Sequence, residues 1–146
     1  MNRVLLVDDD LSFLTVIKYL LQKNGFRVVS CSSGKVAMEL LKSDDFDVVI
    51  SDYRMGEHSG LAVSRVAWSR KPRIPVFIVT AYSDGLKSAY NQELWGQPAE
   101  ARPDRVFSKP VDEKALITAI RGIDRSRERG PKRRTANRGP ARWNIV

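Results

Sequence analysis

Four apolar runs in this chain each end on a residue able to do chemistry. Val4-Leu5-Leu6-Val7 runs into Asp8-Asp9-Asp10, and Val48-Val49-Ile50-Ser51 runs into Asp52. Ile74 to Val79 ends on Thr80, and Arg105 to Ser108 ends on Lys109-Pro110. Short β-branched runs bounded by Asp, Gly and Pro read as buried strands. In an open parallel sheet, chemistry gathers just past the carboxyl ends of the strands. Acids, a hydroxyl and an amine are thus delivered to one edge. Three carboxylates, Asp8, Asp9 and Asp52, would repel one another there unless partly protonated or neutralised. A hard divalent ion such as Mg²⁺ neutralises them with oxygen ligands while keeping several waters. A metal-bound carboxylate cluster is also a place for phosphoryl transfer, where catalysis is mostly positioning and charge neutralisation. An Asp side chain can be the nucleophile and form an acyl phosphate. Thr80 could hydrogen-bond one phosphoryl oxygen, and Lys109 could pair with another as a compact charge.

The elements that must hold these groups can be read between them. Leu11, Leu14, Ile17, Leu20 and Leu21 recur at helical spacing up to Asn24-Gly25, where Gly ends the helix in a left-handed conformation. Phe26 to Ser30 reads as a short strand. Ser32-Ser33-Gly34 caps a helix whose apolar face is Val36, Ala37, Leu40 and Leu41. After Asp52, Leu61 to Ser69 forms a helix that Lys71-Pro72 breaks. Ser83-Asp84 caps a helix running to about Leu94 or Trp95. Val111 to Ile123 forms the last helix, with Leu116, Ile117 and Ile120 inward. The order is β-α repeated five times, an α/β architecture with helices on both faces of a parallel sheet.

Charge divides the chain. Residues 121–146 hold nine Lys/Arg and two Asp/Glu, a net of +7, while residues 1–120 carry sixteen and fifteen, a net of +1. Residues 1–123 therefore read as the folded domain and 124–146 as a basic, disordered tail. One cysteine, Cys31, forms no internal disulfide and fits a reducing cytoplasm. No signal-peptide pattern opens the sequence, and no apolar run approaches the roughly 20 residues of a membrane helix.

Together these residues resemble the receiver domain of bacterial two-component response regulators. The motifs are Val7-Asp8-Asp9-Asp10, Asp52-Tyr53-Arg54-Met55 with Gly60, Thr80-Ala81, and Lys109-Pro110. Each is weak alone; all four in order, each at an expected strand end, are specific, and the likeness spans about residues 2–123. It implies a flavodoxin-like, CheY-like sheet of five strands in the order 2-1-3-4-5. It implies that Asp52 accepts phosphate from a histidine kinase or phosphotransfer protein. Asp8, Asp9 and Asp52 would hold Mg²⁺ together with the backbone carbonyl of Arg54. Thr80 and Lys109 would read the phosphoryl group, and Lys109-Pro110 would be a cis peptide. As a single-domain response regulator, the chain would bias a loop and helix equilibrium around Thr80 and the fourth helix on phosphorylation, and signal by contact with a protein partner or by passing phosphate along a relay. The domain would be a phosphoacceptor that assists its own phosphorylation and slow dephosphorylation, not an enzyme.

Some positions depart from that family. Gly56 stands where receivers usually have Pro, which loosens the turn after Asp52. The segment Trp95 to Pro103 is longer than the usual short turn, at what the family uses as an output surface. The family's switch aromatic lies three residues before the lysine, where this chain has Val106. Alternation puts the adjacent Phe107 on the opposite face unless a one-residue irregularity brings it round. Arg54 and Tyr82, flanking Asp52, are expected to slow attack by water on the phosphoryl group.

Other residues receive plainer readings. Asp10 is a helix cap, His58 a surface loop residue without a ligand role, and Cys31 a packed or partly exposed small residue. Trp68 and Trp95 are packing or interface residues. The tail is foremost a soluble extension. Alternatively its arginines bind nucleic-acid phosphates, or Trp143 to Val146 anchor a partner. Two rival functions are a phosphorylation-independent binding module and a haloacid-dehalogenase-like phosphatase, for which Asp8-x-Asp10 fits the opening motif. The phosphatase needs a late acidic pair, where this chain has Lys109-Pro110. A P-loop nucleotidase lacks its Gly-rich Lys-Ser/Thr loop.

Overall fold

The computed structural model describes residues 3–81 and 96–128. The strands are β1 (Arg3–Val7), β2 (Arg27–Cys31), β3 (Val48–Ser51), β4 (Val76–Thr80) and β5 (Arg105–Ser108). The helices are α1 (Leu11–Lys23), α2 (Gly34–Ser43), α3 (Gly60–Trp68) and α4 (Glu113–Glu128). All strand pairs are parallel, in the order β2-β1-β3-β4-β5. The helix expected between Ser83 and Trp95, together with Tyr82, Trp95 and residues 129–146, lies outside the described residues.

Alternation along the strands sorts the core into two layers. Leu5, Val7, Val49, Val76 and Ile78 face Ala37 and Leu41 of α2 and Val63 and Ala67 of α3. Val4, Leu6, Val48, Ile50, Phe77 and Val79 face Leu14, Ile17 and Leu21 of α1 and Leu116, Ile117 and Ile120 of α4. Side chains at successive strand positions point to opposite faces, so both sets are buried by one sheet. Each fully buried aliphatic side chain contributes roughly 1.5–3 kcal/mol, which fixes the register and hence the strand ends.

The helices begin where capping side chains satisfy free N–H groups. Asp10 accepts from the amides of Ser12 and Phe13, Ser33 from Val36, and Ser59 from Ala62. Asp10 is thus the cap its position suggested. Two expected inward residues are outward: Leu11 is 66% exposed and Val36 is 43% exposed. Leu11 is the first residue of α1, just past the strand ends, and Val36 lies off the arc shared by Ala37 and Leu41. The last helix runs to Glu128, five residues past the expected Ile123. Arg and Glu, which make up three of the five added residues, have good helix propensity, so loss of the apolar period did not end the helix there.

At the edge opposite the strand C-termini, three arginines tie loops together. Arg3 donates to the Asp45 carbonyl and lies 3.5 Å from the Asp44 carboxylate. Arg70 bonds the carbonyls of Leu41 and Asp44 and the Asp45 carboxylate, closing the C-terminus of α2. Arg73 holds the long connection before β5. It donates to Asp104, to the carbonyls of Glu100 and Arg102, and covers the Trp68 ring at 5.3 Å. That connection carries a 3₁₀ turn, Ala99–Ala101.

Candidate functional site

The site is built by three strand ends. Asp52 follows β3, and its amide donates to the Val7 carbonyl at 3.0 Å, which locks the loop after β3 to β1. The Asp52 Oδ1 accepts from the Tyr53 amide at 2.7 Å. Gly60 donates its amide to the Tyr53 carbonyl at 2.7 Å and brings α3 against the Asp52 backbone. A Cβ on Gly60 would lie 2.2 Å from the Asp52 carbonyl oxygen, so only glycine fits. Asp8 follows β1 and is fully buried. Its Oδ1 accepts from the Asp10 amide at 2.9 Å. Asp9 beside it is exposed.

One carboxylate oxygen from each of Asp8, Asp9 and Asp52 falls within 4.8 Å of the other two. Lys109, just past β5, enters the same group. Its Nζ is 2.7 Å from Asp8 Oδ2 and 3.5 Å from Asp52 Oδ2. Lys109-Pro110 is cis, and the Lys109 amide donates to the Thr80 carbonyl at 3.0 Å. Thr80 ends β4, almost fully buried, paired with Ser108. The structure thus brings Asp8, Asp9, Asp52 and Lys109 together, with Thr80 at the neighbouring strand end. Arg54 is exposed in the loop that follows Asp52.

Burial raises the Asp8 pKa above the ordinary carboxylate range. The Asp52 charge pushes the same way, against the bonds from Lys109 and the Asp10 amide. Burial alone would pull the Lys109 ammonium down. The hydrogen bond to Asp8 and the charges of Asp52 and Asp8 outweigh it, and its pKa is raised. Lys109 is therefore firmly cationic. One ammonium against three carboxylates leaves an excess of negative charge, and the oxygens are hard donors. This donor set fits a hard divalent cation that keeps part of its water shell.

His58 backs onto Gly34, where an added Cβ would meet the His58 Cβ at 2.6 Å, and it stands outside the carboxylate group. Cys31 is partly buried against the α2/α3 layer, and burial raises its pKa. Trp68 packs on the same layer, with its indole N–H buried and unpaired among the described residues. Gly56 has φ +55, a left-handed turn that proline cannot adopt. Glycine therefore specifies a different turn after Asp52, where looser backbone was expected.

The strand register runs unbroken through Phe77–Arg105, Ile78–Val106, Val79–Phe107 and Thr80–Ser108. No bulge intervenes. Val106 packs on the α2/α3 layer, while Phe107 packs on the α1/α4 layer with its ring 5.8 Å from Phe77. The usual aromatic position is therefore filled by Val106. A further site residue, Phe13, escaped the sequence reading. Its ring lies 4.4 Å from the Lys109 Nζ. It borders the Leu14-Ile17-Leu21 stripe, four residues before Ile17, and its place in the first turn after Asp10 was the available signal.

The sequence matches the response regulator receiver domain over residues 4–121. The chain belongs to that family. It is 31% identical over 123 residues to the transcriptional regulatory protein CpxR of Escherichia coli K12, covering 84% of this chain and 49% of CpxR. It is 41% identical over 80 residues to the transcriptional regulatory protein ZraR of the same organism, covering 55% of this chain and 18% of ZraR. The chain thus spans half or less of these curated relatives. A response regulator receiver domain protein from Clostridium thermocellum superposes with a TM-score of 0.73 at 25% identity, covering 88% of this chain and 98% of that one. The sheet order and helices are those of this fold, and residues 4–121 are a receiver domain of the two-component type. The phosphatase and phosphorylation-independent readings gain no support. Among the described residues, no helix is long and apolar enough to cross a membrane.

Proposed function

We propose that Asp52 accepts a phosphoryl group from the phosphohistidine of a sensor kinase or phosphotransfer protein. The observation that carries this reading is the convergence of Asp8, Asp9, Asp52 and Lys109 at three strand ends. The side chain of Asp52 is 12% exposed, so one face of its carboxylate can meet a donor. A carboxylate oxygen of Asp52 attacks phosphorus, the donor's P–N bond breaks, and an acyl phosphate forms. Asp8, Asp9 and Asp52, with the Arg54 carbonyl, would hold Mg²⁺, which supplies neutralisation of charge on the phosphoryl oxygens. Lys109 supplies a second cation from the protein itself and turns from Asp8 toward the new phosphoryl oxygen. Thr80 offers its hydroxyl from the next strand end. Arg54 and Tyr82 would shield the acyl phosphate from water.

The domain acts as a phosphoacceptor in the cytoplasm and passes its state to a protein partner. The chemistry of its own site assists both gain and loss of phosphate, so turnover is single and slow. With Val106 in the aromatic position, the switch depends on Thr80 and the segment after it without a ring moving on that face of β5. Incubation with Mg²⁺ and acetyl phosphate, read by intact mass, tests the reading. One added phosphate is expected, absent without Mg²⁺ and absent in Asp52→Asn. An adduct that survives in Asp52→Asn would overturn the assignment of the acceptor.

A further inference from the structure

Lys109 is gripped on three sides. Two are the carboxylates of Asp8 and Asp52. The third is the face of Phe13, 4.4 Å from the ammonium to the ring centroid, well inside the range of a cation–π contact. The Lys109 side chain is 17% exposed, so water screens this attraction little.

The backbone that carries the ring is tied to the carboxylates. The Phe13 amide donates to Asp10 Oδ1 at 3.2 Å, and the Asp10 amide donates to Asp8 Oδ1 at 2.9 Å. One short chain of bonds therefore links the Phe13 backbone to the carboxylate that Lys109 pairs with. Phe13 also packs against the α1/α4 core layer. The remaining cation–ring pairs among the described residues, such as Arg3 on Phe46 and Arg105 on Phe107, do not involve Lys109.

We infer that Phe13 is a positioning residue for phosphoryl transfer, holding the Lys109 ammonium beside Asp52 through its ring face. The inference rests on the assignment of Asp52 as acceptor. The physical logic is a difference in directionality. An ammonium held by carboxylates alone must give up an ion pair to meet a phosphoryl oxygen. A ring face attracts the cation without a directed lone pair, so the ammonium can turn toward the new oxygen while staying in place. The entropy of ordering a flexible lysine is then met before the reaction.

The test replaces Phe13 with mono-, di- and trifluorophenylalanine in the full chain. Fluorine drains charge from the ring face and barely changes its size, so packing is retained while the attraction weakens stepwise. The rate of labelling by acetyl phosphate at saturating Mg²⁺ is expected to fall with each fluorine, by roughly two- to tenfold over the series. In the metal-free protein, the Lys109 Hε resonances should lie upfield from the ring current and return downfield in Phe13→Leu. A flat fluorine series in a protein that still labels on Asp52 would overturn the role of Phe13 and leave the acceptor standing. Failure of the wild-type chain to label would remove the acceptor assignment and this inference with it.

Discussion

Gly60 touches Asp52 through bare backbone: the space for its Cβ is taken by the Asp52 carbonyl oxygen, 2.2 Å away. The first residue of α3 therefore sets where the acidic loop sits. Gly60→Ala is expected to push the loop outward and to destabilise the domain by about 1–3 kcal/mol, the usual range for overpacking. Labelling of Asp52 should fall with it. Gly122→Ala is the matching control, since nothing lies within 4 Å of its Cβ position in α4. It should stabilise by up to about 1 kcal/mol through helix propensity and leave labelling unchanged. Urea denaturation with intact-mass labelling of both variants checks the contrast.

Asp8 makes the site costly without a cation. Its folded pKa is raised, chiefly by burial, above the ordinary value of 3.8. A raised pKa means that the folded state binds the proton more tightly than the unfolded chain. The stability from this group is fully present below the unfolded pKa and is lost as pH rises through the folded one. At neutral pH the buried charge thus weighs against folding. Asp8→Asn keeps an acceptor for the Asp10 amide and removes that charge. The metal-free variant should melt a few degrees higher at neutral pH, and this gain should vanish in acid. The wild type alone should gain from added Mg²⁺. Calorimetric melting at neutral and acid pH, with and without Mg²⁺, measures all three; an Asp8→Asn variant less stable at neutral pH would contradict the sign.

How much of this was legible beforehand depended on the kind of signal. Strand ends were legible because β-branched runs stop on Asp, Thr and Lys, and alternation assigns both sheet faces. The convergence of Asp8, Asp52 and Lys109 follows once those ends are aligned in one parallel sheet. The opposite facing of Val106 and Phe107 was legible too, but the absence of a bulge was not, because a bulge is a backbone event without an obligatory residue. Phe13 was hidden because its neighbour Lys109 is distant in sequence and no local period links them. The end of α4 at Glu128 was missed because a helix can outlast its apolar face. Leu11 and Val36 misled for a related reason: near a helix start, apolar type alone does not say which way a side chain faces.

The turn after Asp52 offers a prediction against the family habit. Proline is usual where Gly56 stands, and Gly56→Pro would restore the commoner residue. The backbone there has φ +55, while proline is held near −65°. The substitution is expected to destabilise by more than about 1 kcal/mol, since the native conformation is incompatible with the new residue. Gly56→Asn, which tolerates a left-handed conformation, should cost less. Chemical denaturation of the two variants ranks them; a Gly56→Pro variant as stable as wild type would mean that the turn readily adopts the other form.

The long connection before β5 is held from the edge remote from Asp52, and Arg73 is its main clasp. That guanidinium meets both oxygens of Asp104, at 3.2 and 3.3 Å, and the carbonyls of Glu100 and Arg102. Asp104 in turn accepts from the Val76 amide at 2.8 Å, the first residue of β4. The side chains of both charged partners are about one-third exposed, so solvent weakens the ion pair itself, and the carbonyl bonds and the Trp68 ring add to it. Arg73→Ala should cost about 1–2 kcal/mol and release the 3₁₀ turn at Ala99–Ala101. Hydrogen exchange should quicken at the Ala101 amide, which donates to the Pro98 carbonyl at 2.8 Å, far more than at the Asp52 amide bound to Val7. Acetyl phosphate labelling should hardly change, because the clasp and the acidic edge lie at opposite ends of β4. Equal acceleration of exchange at both amides would instead mean that the connection and the site open as one unit.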